Sequence, residues 1–326
     1  MQPNFSVLLL TTLIGTGQGL FLALVTVELC ALFGLLPPQD GHWFYAHGSL
    51  LALALLAGGL IASFFHLGRP ERAWRTAARW RTSWLSREVI VLPALMGTVF
   101  LYGVAHLMAW QPALLPLPSG NAIGATVVLG VAGTVLAFAL FLCTAMIYAS
   151  LPFLREWASP LTVVNFTLLG LASGFTLAAG FASVVAPDLV RFFGLAAIAL
   201  TLFAAAGRGM SLVRNARLKP RSTIQTALGI KHPRIVQISP GFQGGSFNTR
   251  EFFHGRSRSV LRSAKWGFVA AAFAVPVLLL AAGVWGAVAG AIPAAFAVQY
   301  AGLLAERWFF FAQANHPQNL YYQAIG

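Results

Sequence analysis

Residues 122–150 read AIGATVVLGVAGTVLAFALFLCTAMIYAS, with no acidic or basic side chain and no histidine. About 20 apolar residues in a helix cross the hydrocarbon core of a bilayer, and this run exceeds that length. It also lacks the period-two alternation of barrel strands, so its backbone polar groups must be satisfied within a helix. Working outward, seven further stretches read the same way. They are Ser6–Leu36, Trp43–His66, Glu88–Trp110, Leu161–Val185, Leu189–Met210, Lys265–Trp285 and Ala287–Phe311. The predicted fold class is all-α: an integral membrane bundle of eight transmembrane helices, with residues 1–326 forming one membrane domain.

Composition agrees. The chain is 58% hydrophobic and 9% charged, whereas soluble domains carry about 25% charged residues. A soluble domain is excluded. The net charge of +13 is read as cations flanking membrane helices, not as a nucleic-acid surface. Cys30 and Cys143 lie far apart inside apolar runs. They read as packing residues, with no disulfide implied, and two cysteines alone ligate no iron–sulfur cluster. The start of the chain lacks a basic segment and a small-residue cleavage site, so the first run is expected to be a retained helix.

The cations alternate between the connections. The second, Leu67–Arg87, holds Arg69, Arg72, Arg75, Arg79, Arg81 and Arg87; the sixth, from Arg208 to Lys265, holds twelve Lys and Arg. The first, third and seventh hold none. Under the positive-inside rule this puts both termini, and the connections at 67–87 and 208–265, on the cytoplasmic side.

Ionisable residues in or near spans are functional candidates by default. His66 closes the second run and Glu88 opens the third, at the same end of consecutive helices. Reducing a quinone or oxidising a quinol moves two protons with two electrons. Histidine titrates near neutrality, and a carboxyl in a low-dielectric setting can be raised into the same range. His66 and Glu88 are therefore candidate catalytic groups. The plainer alternative is that His66 caps its helix while Glu88 offsets Arg87 and the helix dipole.

Glu28, in the first run toward the opposite face, is a possible proton-path residue. Glu306 and Arg307 read as a structural ion pair. His47 and His106 read as satisfied interfacial histidines. Their pairing around a haem is disfavoured, because both lie close to the interface; no haem and no metal site are expected.

The sixth connection contains Gly241–Gly255, with aromatics at Phe242, Phe247, Phe252 and Phe253 among glycines and arginines. Disordered linkers are poorer in aromatics, and long structured loops are usually functional. Phe247, Asn248, Arg250, Phe252 and Phe253, with Arg75, Arg79 and Arg81 of the second connection, are the candidate docking residues for a soluble partner. The alternative is a basic loop lying on anionic headgroups.

The motif His66-Leu67-Gly68-x-Pro70 followed by Ser83-x-Leu85-Ser86-x-Glu88 resembles the DmsC family, the membrane anchor subunits of dimethyl sulfoxide reductase and its relatives. Gly15-Thr16-Gly17-Gln18-Gly19 and Glu306 fit the same pattern. The resemblance implies a haem-free anchor that exchanges electrons between membrane quinone, ubiquinone or menaquinone, and an iron–sulfur subunit. That subunit in turn serves a molybdopterin catalytic subunit, so molybdopterin and clusters would reside only in partners. It carries the quinone-site histidine and glutamate onto His66 and Glu88, with Arg69 and Arg72 shaping the site.

Phe247–Phe253, Glu306–Phe311 and the tail Asn319-Leu320-Tyr321-Tyr322 are more similar to the SoeC-type anchors of sulfite-oxidising complexes. The cytoplasmic placement of the basic face agrees with that arrangement. The expected function is a quinone-binding anchor in sulfite oxidation, in the bacterial inner membrane. Alternatives are an anchor oxidising quinol for a dimethyl sulfoxide reductase-like complex, a passive anchor, and a proton-coupled secondary transporter.

Overall fold

The computed structural model describes residues 5–116, 122–219, 222–236, 238, 257–286 and 288–314. Among these residues ten α-helices are formed: α1 (Phe5–Leu32), α2 (His47–Phe64), α3 (Trp84–Leu107), α4 (Ala125–Ala149), α5 (Pro160–Val185), α6 (Val190–Ala216), α7 (Ile224–Leu228), α8 (Arg258–Val269), α9 (Val275–Trp285) and α10 (Ala291–Ala312). A π-helical turn, Gly41–Ala46, leads into α2, and another, Ala270–Ala274, joins α8 to α9. A 3-10 segment, Pro70–Arg79, lies between α2 and α3.

Among the described residues seven helical stretches are long and apolar enough to cross a membrane: Phe5–Leu32, Gly41–Phe64, Trp84–Leu107, Ala125–Ala149, Pro160–Val185, Pro187–Ala216 and Ser259–Trp285. The run expected as the eighth span forms the 22-residue helix α10, which is not among the seven. Gln299, Tyr300, Glu306 and Arg307 dilute its apolar character. A short antiparallel hairpin, β1 (Ala113–Pro116) with β2 (Ala122–Gly124), joins α3 to α4, pairing Ala113 with Gly124. The fold is all-α as expected, with this hairpin as a local connection.

Helix α1 is the axis of the bundle. It packs on α2, α4, α5 and α10, and 78% of its most apolar window is buried. Lipid is as apolar as leucine, so membrane helices associate by close packing at small residues. Here Gly15 and Gly19 of α1 meet Gly170 and Gly174 of α5; a Cβ on Gly174 would fall on the Gly19 backbone. Inside this contact the Thr16 and Ser173 hydroxyls bond at 3.0 Å. Gln18 is buried too, donating to the Ala137 carbonyl of α4 at 2.8 Å.

Two helix starts have their expected causes. Ser83, extended, caps α3 by accepting from the Ser86 amide. Ser159 caps α5, with Pro160 in the first turn, where its missing N–H costs nothing. The 208–265 connection is shorter than read from sequence. Helix α6 continues to Ala216 and α8 begins at Arg258, so Arg208 and Lys265 belong to helices. Phe247, Asn248, Arg250, Phe252 and Phe253 lie outside the described residues.

Candidate functional site

One end of the bundle, the His66 end, gathers the end of α2, the start of α3, the end of α4 and the end of α10. His66 itself lies two residues beyond α2, exposed, beside the exposed Phe64, Phe65 and Leu67. Partial desolvation of the ring lowers its pKa from the ordinary 6.5, which favours the neutral imidazole at pH 7.

Glu88, in the second turn of α3, is 7% exposed. The Thr144 hydroxyl of α4 donates to its Oε1 at 2.5 Å. One turn further along α4, Tyr148 lies within electrostatic range of both Glu88 and Arg307. No hydrogen bond or ion pair joins His66 to Glu88 among the described residues. The two share one end of the bundle, but the carboxyl points into the interior while the imidazole stands at the edge.

The arginines between them divide by role. Arg87 is a clasp: it donates to the carbonyls of Trp80 and Arg81 at 2.9 and 2.8 Å, and its guanidinium lies 4.2 Å over Trp84. That closes the connection onto the start of α3. Arg69 precedes the 3-10 segment, and Arg72 lies 3.8 Å from Glu71. Arg75 and Arg81 each lie against a tryptophan, Trp74 and Trp80, at 5.5 and 5.4 Å. Arg79 ends the segment, in which no residue is buried. Trp74 and Trp80 are exposed. This Arg/Trp surface is what an interfacial or docking face requires.

Two buried polar clusters were only partly legible in the sequence. At the His66 end, Arg208 Nε lies 2.6 Å from Glu306 Oε1, and Arg307 Nη1 lies 3.5 Å from Glu306 Oε2. All three are at most 3% exposed. Two positive charges thus share one negative charge inside the bundle. Aromatic faces supply the rest: Arg307 lies 3.6 Å over Phe166, and Arg208 5.6 Å from Phe268. From the sequence, Arg208 counts among the surface cations of the sixth connection. The corrected surface charge of this face is smaller by that one, and the alternation survives. The pair Glu306-Arg307 was legible as structural; Arg208 gave no signal, being distant and beside a basic stretch.

At the far end, Glu28 accepts from the Tyr102 hydroxyl at 2.8 Å, and its other oxygen lies 3.5 Å from His106 Nε2. Tyr45 stacks on His106 at 4.4 Å, and Gln111 Nε2 lies 3.3 Å from His106 Nδ1. His106, expected to be satisfied at the interface, is instead 3% exposed and paired with a carboxylate. The equal depth of Glu28 and His106 in their spans was the available sequence signal. Glu28 therefore ties α1 to α3, far from Glu88. Among the described residues no group of three His, Cys, Asp or Glu is arranged to hold a metal ion.

The profile of the DMSO reductase anchor subunit (DmsC) family matches residues 1–232. The chain belongs to the DmsC family. It is a multi-pass membrane protein, and the family is one of anchor subunits, each one component of a larger oxidoreductase assembly. The chain is also similar to a sulfite dehydrogenase subunit from Allochromatium vinosum. The two are 56% identical over 325 residues, covering 100% of each chain. Both motifs quoted for the resemblance, at 66–70 and 83–88, fall within the DmsC match.

Proposed function

We propose that this DmsC-family chain is the anchor and quinone-exchanging subunit of a complex that oxidises sulfite to sulfate. The observation that carries the reading is the full-length likeness to a sulfite dehydrogenase subunit. In this reading the His66 end faces the cytoplasm, α10 is the eighth span, and both termini are cytoplasmic. An iron–sulfur subunit, itself serving a molybdopterin catalytic subunit, docks on Arg75, Arg79, Arg81 and the 247–253 stretch.

The residues present suit a quinone head. A neutral imidazole at the membrane edge is a hydrogen-bonding group for a ring oxygen. Exposed Phe64, Phe65 and Leu67 give an apolar bed for a prenyl tail. A quinone bound there supplies two-electron, two-proton redox chemistry. His66 holds the head oxygen and passes a proton to it. Glu88, kept in place by Thr144, is the proton reserve behind it. Arg69 and Arg72 border the site and add positive charge, which favours electron arrival. The 3-10 segment, whose following residues Trp80 and Arg81 are clasped by Arg87, keeps these groups beside the docking face.

The test is to purify the complex through this chain in mild detergent and follow sulfite-dependent reduction of a soluble quinone analogue. His66→Ala is expected to lose at least tenfold in rate with all subunits still bound. Full activity in that variant refutes quinone exchange at His66. Absence of soluble subunits, or of sulfite-dependent turnover in the wild type, refutes the assembly itself.

A further inference from the structure

A lipid-facing cleft of about 280 Å³ lies between α2 and α3 at the far end of the bundle. Its lining residue nearest that end, Leu53, lies 11 residues before the close of α2, about 17 Å along the helix. Its lining includes His42, His47, Ser49, Leu50, Phe100 and Gly103. Three features show that it is shaped by the fold and is not merely a gap between helices.

The first is backbone. Asp40 accepts from the Trp43 amide and starts a π-helical turn, Gly41–Ala46. Such turns are rare and occur mostly at functional sites. The second is His47. Its Nδ1 lies 2.8 Å from the His42 carbonyl. A carbonyl only accepts, so Nδ1 carries the proton. In the neutral ring Nε2 is then an acceptor. Trp43 stacks on this ring at 5.0 Å with an 8° tilt and fixes its plane. The third is Ser49, which is 2% exposed and whose hydroxyl has no hydrogen-bond partner among the described residues. Gly103 makes room beside it, since a Cβ there would lie 2.9 Å from the Ser49 Cβ.

We infer that this cleft holds the ring of an isoprenoid quinol as a resident second molecule, with a quinol hydroxyl donating to His47 Nε2. The chemistry of the cleft selects this occupant. The acceptor nitrogen calls for a hydroxyl donor, which a phosphodiester at neutral pH lacks. The connections that border the cleft, residues 33–42 and 108–124, contain no Lys or Arg, so neither supplies a cation for an anionic headgroup. The volume lies just below the ~300–1,000 Å³ of drug-sized ligand pockets; it suits a ring and not a whole lipid. Leu50 and Phe100, 63% and 54% exposed, open one side to the bilayer, where the tail runs. This cleft lies at a different end of the molecule from His66, and its occupancy does not depend on the role of that residue.

The test uses the whole complex purified with its native lipids. Quinone is extracted and counted per complex, and an azido-quinol probe is photo-cross-linked and mapped by mass spectrometry. The expected result is at least one quinone per complex, with probe on the 41–53 and 99–107 peptides. His47→Phe keeps the ring stack but removes the acceptor, and is expected to lower the count by one and that labelling at least fivefold. Leu50→Trp, an exposed position that fills the cleft from the lipid side, should do the same without disturbing the interior. His66→Ala should leave labelling of these peptides intact. A count unchanged in both variants, label confined to the His66 region, or a phospholipid displaced by His47→Phe in place of a quinone, each overturns the inference.

Discussion

Replacing Glu306 by glutamine tests how the bundle tolerates three charges in its interior. Glu306 is 1% exposed and is the shared partner of Arg208 at 2.6 Å and Arg307 at 3.5 Å. The substitution keeps the shape and leaves two buried guanidinium groups facing each other with no counter-ion. Breaking a buried pair from one side costs about 3–5 kcal/mol, and mutual repulsion adds to that. At roughly 2 °C per kcal/mol, the lower end of the scale for large chains, the loss is ~6–10 °C in Tm.

Arg208→Met is the informative counterpart. It removes one of two positive charges and leaves Glu306 beside Arg307, a neutral pair, so the expected loss is below about half of the first. Thermal unfolding of the purified complex in detergent, followed by tryptophan fluorescence, measures both. The ordering is the test. If Arg208→Met destabilises as much as Glu306→Gln, charge balance is not what holds α6 to α10, and packing of the arginine stem against Phe268 and Phe309 explains the site instead.

Further outcomes follow from the same geometry. Thr144→Val strips the donor from the buried Glu88 carboxyl, worth about 1–3 kcal/mol, and should slow quinone turnover while Thr144→Ser restores it; equal rates in all three proteins would sever Glu88 from the reaction. Burial lowers the His66 pKa from 6.5, so the folded state binds its proton less readily than the unfolded one. The neutral imidazole therefore predominates from pH 6.5 upward, and destabilisation through this group grows as pH falls below that. Quinone-analogue affinity should change with a midpoint below pH 6.5, and a midpoint above 6.5 would contradict the desolvated setting. Gly174→Ala puts a methyl on the Gly19 backbone and should cost about 1–3 kcal/mol by overpacking. Gly97→Ala, into open space, should be neutral in the same unfolding assay.

The sequence by itself determined seven helices of membrane-crossing length and apolarity, because the transfer free energy of a long uncharged run depends on composition and not on neighbours. Residues 122–150 needed no partner to be read as a membrane helix, and the Arg-rich 67–87 connection needed none to be read as lying outside the bilayer. It also placed His66 and Glu88 at one end, since consecutive helices reverse direction. Tertiary structure decided everything that depends on which faces of the helices meet. It turned Glu88 inward onto Thr144 and left His66 at the edge. It drew Arg208 out of an apparent surface loop into a buried pair with Glu306, far along the chain. It joined Glu28 to His106 and Tyr102. A charge is visible in a sequence, but its burial is not: desolvation and ion pairing act through space, and helix rotation sets which residues share that space.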